Sequence, residues 1–153
     1  MKILIASDHA GFELKKKIRD FFNKNKIIYE DLGTFGEDKE DDYPDYAFKV
    51  AERVAKEKNS RGVLICGSGT GMVIAANKVV GIRAALAYDS YSAKMAAQDN
   101  NVNVLCLRGR FFAPENAKKI ISTWIKTSFS NEIRHKRRIK KISDYEKNHS
   151  VSR

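Results

Sequence analysis

Short continuous apolar runs alternate with longer segments of helical periodicity along most of the chain. Five runs stand out, at residues 3–6, 27–32, 63–66, 84–88 and 102–107. They are short, rich in β-branched residues and followed by Gly, Asp or Asn, which is typical of strands buried on both faces. Strands that alternate with helices in this way predict an α/β protein with a parallel sheet.

The segments between these runs carry apolar residues three and four positions apart, as amphipathic helices do. In the first segment Phe12, Ile18 and Phe22 share one face, and the basic residues at 15–17 and 19 are predicted to face water. Pro44 and Pro114 each stand where the first turn of a helix is expected. The pattern therefore predicts a three-layer, Rossmann-like fold, a five-stranded parallel sheet flanked by helices.

Further helices are predicted over about 72–78, 90–97 and 132–147. The last of these offers Ile133, Ile139, Ile142 and Tyr145 for packing.

Length and composition limit the class of protein. The chain has 153 residues, which favours a single domain over 1–153. Its 42% hydrophobic content is that of a globular protein, and no apolar run approaches the roughly 20 residues that span a bilayer. Two cysteines do not make a disulfide framework. We therefore expect a soluble, cytoplasmic protein without a membrane partner.

The net charge of +10 raises the possibility of a nucleic-acid-binding module. Half of that charge, +5, lies within residues 132–153, where a predicted helix carries most of the basic residues. The remainder of the chain is mixed in charge, and its acidic run at 37–42 is interpreted as a solvated loop. The charge thus marks one helix rather than the whole surface.

The stretch from Cys66 to Gly71 is the most informative motif, because three glycines occupy alternate positions between a strand and a helix. Such a loop lets backbone N–H groups face a phosphate or a developing oxyanion. Two other interpretations remain open. One is a tight turn with packing glycines, and the other is a dinucleotide site with Asp89 on the ribose, although the spacing departs from the dinucleotide motif.

Ligands of parallel α/β folds bind beyond the carboxyl ends of the strands, so side chains at those ends are candidates for a site. Cys66 follows the third strand, where a helix N-terminus favours a thiolate that acts as nucleophile or general base; a buried packing cysteine is the alternative. Cys106 is predicted to be such a packing residue. His9, after the first strand, is suited to phosphate contact, proton transfer or capping of the next helix.

Arg134 and Arg138 are four residues apart, so on a helix they share one face and suit a single phosphate. His135 between them is expected to be a solvated residue of the basic tail. No group of Cys, His, Asp and Glu has metal-ligand spacing, so no metal is predicted.

Several stretches together resemble the ribose-5-phosphate isomerase B family, which is shared with bacterial galactose-6-phosphate isomerase. The matching stretches run in order from the first strand to the last helix: 7–12, 31–34, 42–47, 62–84, 103–105, Arg110, and Arg134-His135 with Arg138. The resemblance covers nearly the whole chain. It implies a cofactor-free aldose–ketose isomerisation of ribose 5-phosphate and ribulose 5-phosphate through a cis-enediolate.

The resemblance also implies roles for individual residues. Cys66 would be the base that moves a proton between C1 and C2, and the catalytic set is Cys66, Asp99 and Ser68. Asp8 would hold sugar hydroxyls. The loop Gly67, Ser68, Gly69, Thr70 and Gly71 would supply N–H donors, and the phosphate would be surrounded by His9, Arg110, Arg134 and Arg138.

The same family builds its sites across subunits, which implies a homodimer or a dimer of dimers. Asn100 would then contact substrate from the neighbouring subunit, and the C-terminal helix would take part in the dimer.

Asp99 departs from the family pattern, which usually has a ring-opening His at this position. A carboxylic acid is a poorer proton donor than an imidazolium at neutral pH. Asp99 could open the ring as a base, His9 or water could do so, or the substrate could be galactose 6-phosphate or allose 6-phosphate. A basic nucleic-acid-binding module is the alternative outside the enzymes, although the tail offers only Tyr145 for stacking on bases.

Overall fold

A computed structural model describes residues 1–36 and 40–149 of the chain. Its five strands are β1 (Lys2–Ser7), β2 (Tyr29–Asp31), β3 (Ser60–Cys66), β4 (Ala84–Leu86) and β5 (Val104–Arg108). They form one sheet in the order β2-β1-β3-β5-β4, with every neighbouring pair parallel. The predicted parallel sheet is confirmed.

Within residues 1–36 and 40–149, six helices accompany the sheet. They are α1 (Phe12–Lys24), α2 (Tyr43–Lys56), α3 (Thr70–Ala76), α4 (Ser90–Asn100), α5 (Pro114–Lys126) and α6 (Ile133–His149), with a short 3-10 turn at His9–Gly11. Pro44 and Pro114 lie in the first turns of α2 and α5, as predicted.

Two apolar layers hold the helices to the sheet. One layer joins the inward residues of α1, α4 and α5 to one sheet face through Ile3, Ile5 and their neighbours. The other joins α2 and α3 to the opposite face through Leu4 and Ala6. Alternate residues of β1 serve the two layers, so the strand is apolar from residue 3 to residue 6. The three-layer arrangement agrees with the prediction.

The two outer strands differ from the prediction of strands buried on both faces. All residues of β2 and β4 are only half-buried, and both strands are shorter than the apolar runs at 27–32 and 84–88. Each has a neighbour on one side alone, so a helix layer cannot cover it as fully as it covers β1, β3 and β5.

A side chain forms hydrogen bonds with the outer edge of β4. The amide of Asn77, just after α3, donates to the carbonyl oxygen of Ala84 at 3.0 Å and accepts from the N–H of Ala84 at 2.8 Å. The first residue of the strand therefore pairs with an amide that imitates a peptide group.

Lys15 was predicted to face water, and this is wrong. Its side chain is fully buried, and the ammonium group donates to Asp31 Oδ1 at 2.6 Å and to the carbonyl oxygen of Thr34 at 2.5 Å. Asp31 also accepts from the N–H of Gly33 at 3.0 Å and contacts Arg19 at 3.1 Å. Burial lowers the pKa of Lys15. The lysine thus ties α1 to the turn after β2.

The C-terminal helix α6 is mostly exposed in the single chain. Ile133, Ile142 and Tyr145, offered for packing, are 85%, 57% and 67% exposed. His135, expected to be solvated, is instead the one buried residue among the described residues of α6. The Nδ1 of His135 lies 2.7 Å from the Oγ of Ser130, which belongs to the segment just before α6.

No helix within the described part of the chain is both long and apolar enough to cross a membrane.

Candidate active site

One group of predicted site residues meets at the carboxyl ends of β1, β3 and β5. The backbone N–H of Asp8 donates to the carbonyl oxygen of Ile65 at 3.2 Å. Beyond β5, Gly109 N–H donates to Cys66 O at 2.7 Å, and Arg110 N–H donates to Gly67 O at 3.2 Å. The ends of three neighbouring strands are therefore held together at one edge of the sheet.

Cys66 ends β3 with only 4% of its surface exposed. The N–H of Gly69 donates to its Sγ at 3.1 Å. A backbone donor on sulfur stabilises a thiolate, and Gly69 itself has φ +81°, a left-handed conformation that glycine adopts without strain. The sulfur is thus held against the turn that leads into α3.

Glycine at 69 is also required by close approach. A Cβ built on this residue would lie 2.5 Å from Leu86 Cδ1 and 2.9 Å from the carbonyl carbon of Leu107. Ser68 and Thr70 flank it on the exposed side, and Thr70 N–H donates to Ser68 Oγ at 3.3 Å.

Cys106 differs from Cys66 in its position along the strand. It is fully buried in the middle of β5, and burial raises the pKa of its thiol. The prediction that it is a packing residue is confirmed.

Two further side chains rest on the backbone of the glycine loop. Atoms of the Arg110 side chain, its Nε among them, would lie 3.3–3.4 Å from a Cβ at Gly67, so the guanidinium group covers that peptide. The ring of Tyr43 would lie 2.7 Å from a Cβ at Gly71. Tyr43 was not among the predicted site residues, although it lies in the stretch 42–47 that resembles the family. The loop is thus bordered by one cation and one aromatic ring.

Asp8 and His9 stand beside this loop. Asp8 is 6% exposed, its Oδ1 accepts from Gly11 N–H at 3.0 Å, and burial raises the pKa of its carboxyl. Capping of the turn after β1 therefore falls to Asp8 rather than to His9. The Nδ1 of His9 lies 2.6 Å from Oδ1 of Asp41. The side chain of Asp41 is only 8% exposed, so at this residue the interpretation of 37–42 as a solvated loop is wrong; residues 37–39 lie outside the described residues.

The remaining predicted residues lie elsewhere on the chain. The helix α4 starts just after the carboxyl end of β4 and runs back for 11 residues, about 16 Å. Its last residue, Asn100, accepts a hydrogen bond from Arg83 Nε at 3.1 Å, and Arg83 immediately precedes β4. Asn100 and its neighbour Asp99 are therefore at the amino end of the sheet, opposite the glycine loop.

The start of α6 joins this second group. His135 Nδ1 lies 3.7 Å from Asp99 Oδ1, and Ser130 N–H donates to Gln98 O at 2.9 Å. Arg134 pairs with Glu132 at 2.8 Å and, like Arg138 one turn later, is exposed. The structure thus separates the predicted site residues into two groups. One lies at the carboxyl end of the sheet and the other at its amino end.

The geometry bears on the dinucleotide alternative. Asp89, the candidate ribose-binding acid, accepts from Ser92 N–H at 2.6 Å as the N-cap of α4, so its carboxylate is engaged in the fold. Among the described residues, no group of three or more His, Cys, Asp and Glu is arranged to hold a metal ion.

The fold and the carboxyl-end loop define a Rossmann-like α/β protein with a cysteine and a glycine-rich turn at the edge of the sheet where such folds bind ligands. The family model described as Ribose/Galactose Isomerase matches residues 3–142. The chain belongs to this family.

Similar proteins agree along almost their whole length. A putative sugar phosphate isomerase of Bacillus subtilis is 47% identical over 146 residues, which is 95% of this chain and 97% of that protein. The structure of ribose-5-phosphate isomerase B from Clostridium thermocellum matches with a TM-score of 0.93 and 45% identity, covering 97% of this chain and 99% of that one. The Mycoplasma genitalium enzyme, solved with bound ribulose-5-phosphate, matches with a TM-score of 0.91 and 46% identity, covering 95% and 96%.

Proposed function

We propose that this chain is a cofactor-independent sugar-phosphate isomerase that interconverts ribose 5-phosphate and ribulose 5-phosphate, acting as a single domain over 1–153. The observation that carries the proposal is Cys66, held at the carboxyl end of β3 with a backbone N–H on its sulfur. Support comes from the similar Mycoplasma genitalium protein, whose structure holds ribulose-5-phosphate.

In the proposed mechanism the Cys66 thiolate takes a proton from the carbon next to the carbonyl and returns it to the neighbouring carbon. The intermediate is a cis-enediolate, whose developing negative charge needs fixed donors. The N–H groups of the loop 67–71 would supply them, with Ser68 at its exposed side. A single donor of this kind typically contributes about 3–4 kcal/mol of transition-state stabilisation.

We infer that the substrate is held between two subunits. One group borders the glycine loop and consists of Asp8, His9 and Arg110. The second group lies at the opposite end of the sheet in the same chain and consists of Asp99, Asn100, Arg134 and Arg138. A homodimer, or a dimer of dimers, would bring the second group of one subunit to the loop of the other, where two arginines four residues apart suit a phosphate.

The surface next to the second group has the apolar character that an interface needs. A cavity of about 470 Å³ lies between β4, α4 and α6, and its lining includes Leu86, Met95, Ile139 and Ile142. The exposed Ile133 and Tyr145 continue along α6. Covering this surface would remove apolar area from water, which stabilises an interface by roughly 25 cal/mol for each Å² buried. The proposed role of the C-terminal helix in the dimer rests on these residues.

The substrate is tested by measuring isomerisation of ribose 5-phosphate and of galactose 6-phosphate by the purified protein. We expect turnover of ribose 5-phosphate with the larger kcat/KM, because the matched structure holds a pentose phosphate. A larger kcat/KM for galactose 6-phosphate, or for allose 6-phosphate, would move the chain to the hexose phosphate branch of the family. No turnover of any of the three would contradict the isomerase proposal.

The shared site is tested by mixing two inactive variants, Cys66→Ala and the double variant Arg134→Ala/Arg138→Ala. In a site made from two subunits, a mixed dimer has one intact site. Random exchange should therefore restore about a quarter of wild-type turnover, since half of the dimers are mixed and each has one of two sites. Mixtures that stay inactive after unfolding and refolding together would contradict a shared site.

Within this proposal, Asp99 is one candidate for the group that opens the sugar ring. Its carboxylate lies near His135, 3.7 Å from Nδ1, so a base for the anomeric hydroxyl is present in the second group. A basic nucleic-acid-binding module is supported only by the charge of α6. The proposed isomerase accounts for Arg134 and Arg138 together with the glycine loop, which the binding module leaves without a role.

A further inference from the structure

Asp41 is a buried carboxylate that the proposed mechanism leaves without a role. It lies in the chain before α2, two residues ahead of Tyr43, whose ring rests on Gly71 of the glycine loop. Its side chain is 8% exposed, and its Oδ2 is buried without a hydrogen-bond partner among the described residues. A buried carboxylate oxygen with no partner is costly, so the residue needs an explanation other than stability.

Both contacts of Asp41 go to His9. Its Oδ1 lies 2.6 Å from His9 Nδ1 and also accepts the backbone N–H of His9 at 3.2 Å. A carboxylate is an acceptor only, so the shared ring nitrogen must be the protonated one. The imidazole is thereby fixed in orientation, and Nε2 is the ring atom that remains for a ligand. In the imidazolium both ring nitrogens are donors, so Nε2–H can donate to an anion while Nδ1–H stays on Asp41.

The ring of His9 lies where a ligand of the glycine loop would be within reach. His9 follows Asp8 directly at the end of β1, and its side chain is about a quarter exposed, beside the edge that presents Cys66. We propose that Asp41 is a positioning residue: it holds His9 by Nδ1, so that Nε2 is presented to the anionic sugar phosphate. This inference rests on the proposed function, and it adds a residue that acts only through His9.

Steady-state kinetics test the proposal with Asp41→Ala, and Asp42→Ala is the matched control. Asp42 is the adjacent carboxylate, is exposed, and makes no capping hydrogen bond to α2. We expect Asp41→Ala to raise KM for ribose 5-phosphate roughly tenfold, the effect of losing one well-oriented charged hydrogen bond, with kcat much less affected. Asp42→Ala should keep KM within about twofold.

A double-mutant cycle separates positioning from a purely structural role. In a His9→Gln background, Asp41→Ala should change KM no further, because the carboxylate acts through the ring. An equal increase of KM in both backgrounds would overturn the proposal.

Nitrogen-15 NMR of the histidine rings provides a readout that does not need turnover. The chain has three histidines, and His9→Gln assigns the relevant signal. We expect a strongly deshielded Nδ1 proton on His9 in the free protein, lost in Asp41→Ala and kept in Asp42→Ala. A signal that is unchanged in Asp41→Ala would overturn the positioning role. If the signal behaves as expected but ribose 5-phosphate is not turned over, the proposed substrate fails and the positioning of His9 stands.

Discussion

Replacing Cys66 by alanine is expected to lower kcat for ribose 5-phosphate isomerisation by about 10³-fold, the usual contribution of a positioned general base. The sulfur lies 3.1 Å from the N–H of Gly69, and no alanine atom could take its place as a proton acceptor. The measurement is ketose formation from ribose 5-phosphate at substrate saturation. Because the phosphate-binding residues stay in place, KM should change much less than kcat.

Cys106→Ala is the matched control for this experiment. The second thiol is fully buried in β5, and its raised pKa keeps it protonated at neutral pH. Its replacement removes one small buried group and should leave kcat within about twofold, at a modest loss of stability. Wild-type turnover by Cys66→Ala would contradict the assignment of the base, whatever the substrate turns out to be.

Replacing Lys15 by methionine is expected to lower the free energy of unfolding by about 3–5 kcal/mol. Methionine fills a similar volume but removes the charge that neutralises Asp31, which is left in a nearly dry site with Arg19 as its remaining cationic contact. The carbonyl oxygen of Thr34 also loses its donor. Urea denaturation followed by circular dichroism measures the change as a shift in midpoint.

Lys17→Met is the control for Lys15→Met, since Lys17 lies on the exposed side of the same helix. Its effect should stay within about 0.5 kcal/mol. The double variant Lys15→Met/Asp31→Leu should recover part of the lost stability, because removing both charges leaves no buried carboxylate to neutralise. A Lys15→Met protein as stable as the Lys17→Met protein would contradict the buried ion pair.

The alternation of apolar runs and helical periods was sufficient to predict the parallel sheet and most helix starts. This worked because the central parts of β1, β3 and β5 are buried on both faces, which makes residues 3–6, 63–66 and 104–107 apolar without interruption. The edge strands were predicted too long. Residues flanking β2 and β4 are apolar for packing against helices, and a run of apolar residues does not distinguish that role from strand pairing.

Lys15 and Asp41 show where local reasoning fails. A lysine among four other basic residues of one helix is normally solvated, and only the return of the chain at residues 31–34 brings it partners. Asp41 belongs to an acidic run that favours a solvated loop, and only its contact with His9, 32 residues away, gives it a position. In both cases the partner is distant in sequence, so no window along the chain contains the information.

The carboxyl-end group of the site was predictable, because strand ends are where parallel sheets bind ligands. Cys66 and His9 were found that way, and the resemblance added Asp8 and Arg110. The separation of Asn100 and Arg134 from this group was not, since it follows from the length and direction of α4. Resemblance placed all of them in one site, and the fold adds that a single chain does not bring them together.

The amide of Asn77 has a consequence for how copies of this chain can associate. An unpaired outer strand invites a strand from another molecule, which can lead from dimers to open-ended fibrils. Because Asn77 already occupies both backbone groups of Ala84, an incoming strand would have to displace it before it could pair with that residue. At this residue the edge of β4 therefore resists extension of the sheet by a strand from another molecule.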